Sequence, residues 1–254
     1  MDLKNIYKKS YDFLVGEAVQ YGITEDMIDS FISTSDMSEC NTIQSAYKQL
    51  LVTMQDFYSY KNVIGYKTHK EQINGILHDC DVRYISALNP EILLNEFRIE
   101  FHFQRDDMWR KYCKSLISGA IFMSRFQNDE EFVNTLNHFD KDDMTREAFA
   151  LLLSRKIYNM GFAVACNWMK ELGYLKYAKP DIHTKDICMA FGLVSRKDDL
   201  ECFEAIAKTA KAAGVEAYSL DKVWWLICTG DFYRFNLKLP DPKDRKVRFL
   251  EILK

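Results

Sequence analysis

Glycine and proline are scarce in this chain, ten and four among 254 residues, and this constrains the fold more than any other feature. Strand-rich folds need frequent tight turns, and those turns draw on Gly and Pro for their backbone angles. Long stretches between such breakers suit helices, and apolar residues recur at helical spacing along most of them. The expected fold class is all-α. With 48% hydrophobic and 28% charged residues, the chain has the composition of a globular protein able to bury a substantial core. Its length suits one large domain or two small ones. No apolar run approaches the ~20 residues that cross a bilayer, and the N-terminus MDLKNIYKKSYDF lacks the apolar core of a signal peptide. A cytoplasmic protein without a membrane partner is expected.

Taken in order, residues 3–21 carry Ile6, Tyr7, Phe13, Leu14 and Val19 near helical period. Thr24 suits an N-cap before Met27, Ile28, Phe31 and Ile32. Ser38 or Asn41 is placed to start a third helix with Ala46, Leu50, Leu51, Met54 and Phe57 inward, ending at Tyr58-Ser59-Tyr60. A further helix is expected over Tyr66 to Leu77. His69 and His78 lack a third ligand and read as surface or structural residues. Pro90 suits the first turn of a new helix. Asp106 or Asp107 is positioned to cap a long helix through Trp109, Tyr112, Leu116, Ile117, Ala120 and Phe122. Asp129 opens the next, and Thr145 fits an N-cap after it. Later, Gly192 suits a helix end, Asp198 or Asp199 a start with an end near Gly214, and Ser219 a cap for SLDKVWWLICTGDFY. The polar, basic tail holds one short helix from Lys243 to Leu250. A soft boundary near residue 100 divides an N-terminal helical region, 1–100, whose role is open, from 101–254.

The seven cysteines form no Cys-x-x-Cys pair and are odd in number, which argues against a disulfide framework and a zinc site. No metal and no cofactor are expected. The net charge of −3 is unlike that of a general DNA-binding protein, but the charge is uneven. Residues 1–60 hold four basic against nine acidic side chains, residues 154–190 six against three, and residues 234–254 seven against three. A basic face on an acidic body steers to phosphates without binding every polyanion tightly.

The informative stretch is 154–190, SRKIYNMGFAVACNWMKELGYLKYAKPDIHTKDICMA. It reads as a helix end, a tight turn at Asn159-Met160-Gly161, a helix from about Phe162 to Leu172, and a third helix opening at Asp181. Gly161 is free to take positive φ and Asn159 tolerates a left-handed conformation. The unpaired N–H groups of the following first turn suit a phosphate. Twenty positions beyond Gly161, Asp181 follows Lys179-Pro180 and precedes Ile182-His183.

This pattern resembles the helix-hairpin-helix DNA glycosylase superfamily of base-excision repair. In that family a hairpin of the form Leu-Pro-Gly-hydrophobic-Gly binds the DNA backbone. About twenty residues on, an Asp in a hydrophobic-Asp-x-His segment serves base removal. The matching stretches are Ile157-Tyr158-Asn159-Met160-Gly161 and Lys179-Pro180-Asp181-Ile182-His183. The likeness is specific across Ser154 to Phe191 and looser from about Asp106 to Tyr233. The first hairpin glycine is Asn159 here, and the position of the Lys nucleophile of bifunctional members, two residues after the second glycine, holds Ala163. Nor are Cys202 and Cys228 spaced like the iron–sulfur loop of some members.

The resemblance implies a multi-helix glycosylase-like fold and a monofunctional glycosylase, acting as a monomer on double-stranded DNA with a flipped-out base. Asp181 would be the catalytic carboxylate. Asn159, Met160, Gly161, Phe162, Ala163, Lys179 and Lys185 would contact DNA. Trp109, Phe122 and Phe126 are candidates to stack on the extruded base, with Ser118-Gly119-Ala120 leaving room in the same helix. Each feature has a plainer reading. Pro-Asp at a helix start is a common cap, an Asn–Gly turn is an ordinary αα-corner, aromatic residues at helical spacing are usually core, and small residues mid-helix allow close packing. A catalytically silent DNA-binding protein of the same fold and a helical protein-interaction module are the alternatives.

Overall fold

A computed structural model describes residues 2–33, 40–55 and 63–252. Ser38, Phe57 and the helix end expected at Tyr58-Ser59-Tyr60 lie outside the described residues. The chain is all-α apart from a two-strand ribbon, and it divides into two compact units. Residues 1–37 and 173–254 form one and residues 38–172 the other. Residue 100 falls inside the second unit, within the helix Pro90–Phe101, which packs on the helix after it.

In the first unit, α1 (Leu3–Val19) starts at Asp2, whose carboxylate accepts the Lys4 N–H, and buries Ile6, Ser10, Leu14 and Ala18. Their four-residue spacing lines one helix face. Helix α2 (Glu25–Ile32) is capped by Thr24 as expected, its hydroxyl accepting from Met27. The unit resumes in the last third of the chain with the helices 182–190, 199–213, 217–229 and 242–251. The helix Ala217–Thr229 is its centre: it is buried on most of its circumference and packs against α1, α2 and the other three. Trp224 Nε1 donates to Ser10 Oγ at 3.0 Å in the buried interior, which satisfies both polar groups inside an apolar cluster.

The second unit contains α3 (Ile43–Thr53), α4 (Lys70–Ile76), α5 (Val82–Ser86), α6 (Pro90–Phe101), α7 (Asp107–Met123), α8 (Asp129–Phe139), α9 (Asp143–Lys156) and α10 (Phe162–Glu171). Helix α7 is central, packed by α3, α5, α6 and α9. Tyr47 donates to the Leu116 carbonyl at 2.9 Å and Tyr112 to the Leu51 carbonyl at 3.0 Å, so two buried hydroxyls join α3 to α7. Gly119 explains how close these helices come. A Cβ there would lie 2.3 Å from Leu50 Cδ2. Gly119 therefore serves helix–helix packing.

Completing the first unit, α11 (Ile182–Ala190), α12 (Asp199–Ala213), α13 (Ala217–Thr229) and α14 (Pro242–Glu251) follow. Helix α11 ends in a Schellman motif: Gly192 takes φ +65°, its N–H reaches Met189 O, and Leu193 N–H reaches Cys188 O. Between α13 and α14 lies an antiparallel ribbon, β1 (Asp231–Phe232) and β2 (Leu237–Lys238), around a 3₁₀ turn at Tyr233–Phe235. Six cysteines are buried and Cys40 is half-buried, and none is joined in a disulfide. Among the described residues no helix is long and apolar enough to cross a membrane.

Candidate functional site

The hairpin lies at the end of α9. That helix begins one turn before the expected Thr145: Asp142 is the N-cap, and Thr145 returns the bond at N3 in a capping box. Buried Ile157 and Met160 anchor the turn on the second unit's core, and Met160 N–H bonds to Ile157 O at 3.2 Å. Of the two residues able to take positive φ, Asn159 does so, at +60°. Gly161 is extended, φ −76° and ψ 166°, and is the N-cap of α10. No side chain caps this helix end, and a Cβ on Gly161 would meet nothing within 4 Å. The glycine thus leaves an open approach to the first turn of α10, where backbone N–H groups favour an anion. Phe162 is buried and Ala163 half-buried, so the contribution of both to this approach is main chain.

Two neighbours shape the hairpin that sequence reasoning did not assign to it. Ser118 Oγ accepts the Tyr158 N–H at 2.8 Å, and the Lys114 ammonium lies 5.7 Å from the exposed Tyr158 ring. The sequence marked Ser118 only as a small residue; its hydrogen bond spans 40 positions and has no local signal.

The expected base-pocket aromatics are packed among other rings. Trp109 is 2% exposed and stacks with Phe103 at 4.8 Å and Phe101 at 5.2 Å. Phe122 is also buried, against Phe126 and Phe149, and half-buried Phe126 meets Phe132 edge-on at 5.2 Å. Ring contacts of this kind account for Trp109 and Phe122 as core of the second unit, with Phe126 packed at its edge.

In the first unit, Asp181 is the N-cap of α11. Its Oδ1 accepts the N–H groups of His183 at 2.8 Å and Thr184 at 3.1 Å. Oδ2 accepts no hydrogen bond among the described residues, and the residue is half-buried. The cap therefore fixes the carboxylate by one oxygen and leaves the other available. The preceding strand of chain is held as well: Lys179 O accepts from Asp181 N–H at 2.8 Å and from Thr184 Oγ1 at 3.0 Å, while Lys179 N–H donates to Asp221 Oδ2 at 3.3 Å. Asp221, 2% exposed on α13, thus positions the segment that presents Asp181. The sequence shows its acidic side chain near a helix start, not this long-range bond.

Of the lysines expected to reach phosphate, Lys185 on α11 is ion-paired with Asp199. Lys179 contributes its main chain as described. At the next position of α11 after Lys185, Asp186 bridges Lys197 at 2.5 Å and Lys246 at 2.6 Å. Partial burial opposes charge on Asp186, but these two lysines outweigh it and hold its carboxyl below the ordinary Asp range. Buried thiols behave oppositely. Desolvation pushes Cys228 and Cys80 up to about 12, which makes them inert at neutral pH. Among the described residues no three His, Cys, Asp or Glu side chains gather as a metal site.

No protein-family model matches the chain, and no curated protein matches it. Among solved structures it is similar to Methanocaldococcus jannaschii 8-oxoguanine glycosylase/lyase in complex with a 15mer DNA containing 8-oxoguanine. The TM-score is 0.54 at 17% identity, over 84% of this chain and 96% of that one. At that identity the likeness establishes architecture: the chain has the all-α fold of a DNA glycosylase.

Proposed function

We propose that this protein is a monofunctional DNA glycosylase that hydrolyses the N-glycosidic bond of a damaged or mismatched base in duplex DNA. The observation that carries the reading is the half-engaged carboxylate of Asp181, fixed through Oδ1 and open at Oδ2. The glycosylase fold supports it from outside.

As the base departs, positive charge grows on the deoxyribose, and an anion on the sugar side stabilises it. Asp181 Oδ2 is such an anion and also accepts a proton from the attacking water. The water oxygen bonds to C1′, the C1′–N bond breaks with its electron pair going to the base, and the proton taken up by Asp181 passes through solvent to the departing base. Rotamer freedom lost in advance, through the cap, need not be lost in the transition state. Meanwhile the open first turn of α10, with Asn159, Met160 and Gly161 before it, binds a backbone phosphate. The target base leaves the stack so that the sugar is reachable. With Ala163 where bifunctional members carry lysine, the hairpin supplies no amine for a Schiff base, and the reaction stops at the abasic site.

Duplexes carrying alkylated, oxidised and deaminated bases, assayed for abasic sites, test this directly. The expected result is release of one class of base, lost in Asp181→Asn, with no adduct trapped by borohydride. A trapped adduct would overturn monofunctionality. Intact DNA across the panel, with binding retained, would replace the enzyme by a silent binder.

A further inference from the structure

The strongest unassigned feature of the molecule is the turn between β1 and β2. Four large aromatic residues are prominently exposed in the described chain: Tyr21, Tyr158, Tyr233 and Phe235. Two of them lie within this one three-residue turn. Tyr233 is 50% and Phe235 36% exposed, and two half-exposed rings at one spot mark a surface suited to an interaction.

These rings are held in place rather than merely exposed. Tyr233 meets Phe31 edge-on at 4.9 Å and Trp225 edge-on at 6.1 Å. Lys222, only 8% exposed, lies 5.5 Å from the Tyr233 centroid and donates to its hydroxyl at 3.4 Å. The same ammonium is 5.1 Å from Trp225 and 5.4 Å from Phe31. A cation among ring faces is a favourable arrangement, and it fixes the inner side of the platform. Arg234 stacks over Phe31 at 4.8 Å and donates to Ser30 O at 2.8 Å. The foot of the turn is clamped too. Buried Arg245 donates to the carbonyls of Ile227 and Pro240, each at 2.7 Å, and Leu239 N–H bonds to Gly230 O at 2.9 Å.

Cations interleave with the rings: Lys222, Arg234 and the exposed Lys238 lie in or beside the turn, with Asp231 and Asp241 at the two ends of the ribbon. Immobilised rings interleaved with cations fit a partner with both a flat π-face and a negative charge. A nucleotide outside the double helix has both. A fully paired duplex offers the charge, but its base faces are hidden in the stack.

We propose that Tyr233 and Phe235 form a stacking platform for an unpaired nucleotide of the DNA, with Lys222 and Arg234 pre-orienting the rings and attracting the phosphate. This rests on the glycosylase reading. It assigns base stacking to a surface turn of the first unit, in place of the aromatics of α7.

The test measures binding by the full chain to two labelled duplexes of one sequence, one fully paired and one with a single-nucleotide bulge. Tyr233→Ala/Phe235→Ala is expected to weaken bulged-duplex binding by about tenfold, within the range of one lost base–ring stack, and to change paired-duplex binding less than twofold. Tyr233→Phe keeps the ring and is expected to bind as wild type. Equal losses on both duplexes, or no loss on either, would overturn the platform. Should the double variant fail to fold, Phe235→Ala alone, at an exposed ring, carries the same comparison. If the wild type binds neither duplex, the glycosylase reading falls as well. If the wild type binds both duplexes and releases a base, while the variants match it, only the platform falls.

Discussion

Ser118 Oγ accepts the main-chain N–H of Tyr158 at 2.8 Å, so the middle of α7 holds the shoulder of the hairpin. Ser118→Ala removes that acceptor where water can replace it in part, because Tyr158 is exposed. The expected stability loss is about 0.5–1 kcal/mol, read from the urea midpoint. Duplex affinity, read by anisotropy, is expected to fall by more than that loss explains, since the hairpin approach is loosened while the core stays packed.

Asp181 combines two duties that one substitution separates. Asparagine caps a helix nearly as well as aspartate, so Asp181→Asn should keep stability within about 0.5 kcal/mol. It removes the anion and the proton acceptor together, and base release should fall by about a hundredfold or more. Equal falls in turnover and melting temperature would reduce Asp181 to a cap.

Asp186 gives a pH dependence with a definite sign. Its carboxyl is held below the ordinary Asp range against its own partial burial, by Lys197 and Lys246. The stability it contributes is therefore fully present above the unfolded Asp value of about 3.9 and is lost as pH falls through the lower folded value. Asp142 and Asp198 are lowered as well, each chiefly by main-chain N–H bonds at a helix start. Urea midpoints from pH 6 down to pH 2 should fall steeply for the wild type and less steeply for Asp186→Asn. Parallel curves would show that the lysine pair does not matter.

Gly230 ends α13 at φ +65°, and a Cβ there would lie 2.5 Å from Arg245 Nη2 and 2.9 Å from Leu239 O. The second neighbour is backbone and yields little. Gly230→Ala is expected to cost about 2–4 kcal/mol, combining left-handed strain with overpacking. The readout is a lower urea midpoint at unchanged slope. An alanine variant as stable as the wild type would mean that the ribbon shifts freely.

What the sequence discloses is what local chemistry decides. Thr24, Asp198, Gly192 and Gly214 each mark a helix end because a side chain or a left-handed residue satisfies nearby backbone groups. The all-α class follows from the same local rules. Elsewhere tertiary contacts win. Ser219 looks like the cap of α13, but the helix starts after Glu216, whose side chain caps nothing. Its first turn is satisfied by Leu175 O, which accepts the Tyr218 N–H at 2.9 Å, and Ser219 instead donates to Ile32 O. In the hairpin, the left-handed residue is Asn159 rather than Gly161, because either residue tolerates that angle and only packing of Ile157 and Met160 chooses. Asp181 was legible as a helix cap, because Pro-Asp before a helix is a local signal; the Asp221 bond to Lys179 was not, since it joins positions 42 apart. Periodicity likewise placed Trp109, Phe122 and Phe126 on helices or their ends, but not which rings they face.

The hydrogen bond from Trp224 to Ser10 crosses 214 positions, and it joins the opening of the chain to its close. During synthesis the second unit is complete in sequence by Leu172, whereas α1 and α2 have only each other until α12 and α13 follow. The apolar faces of Ile6, Leu14, Ile28 and Phe31 must therefore wait through most of translation. Until then these faces are open to aggregation and proteolysis, and removing residues 215–254 should unfold residues 3–32.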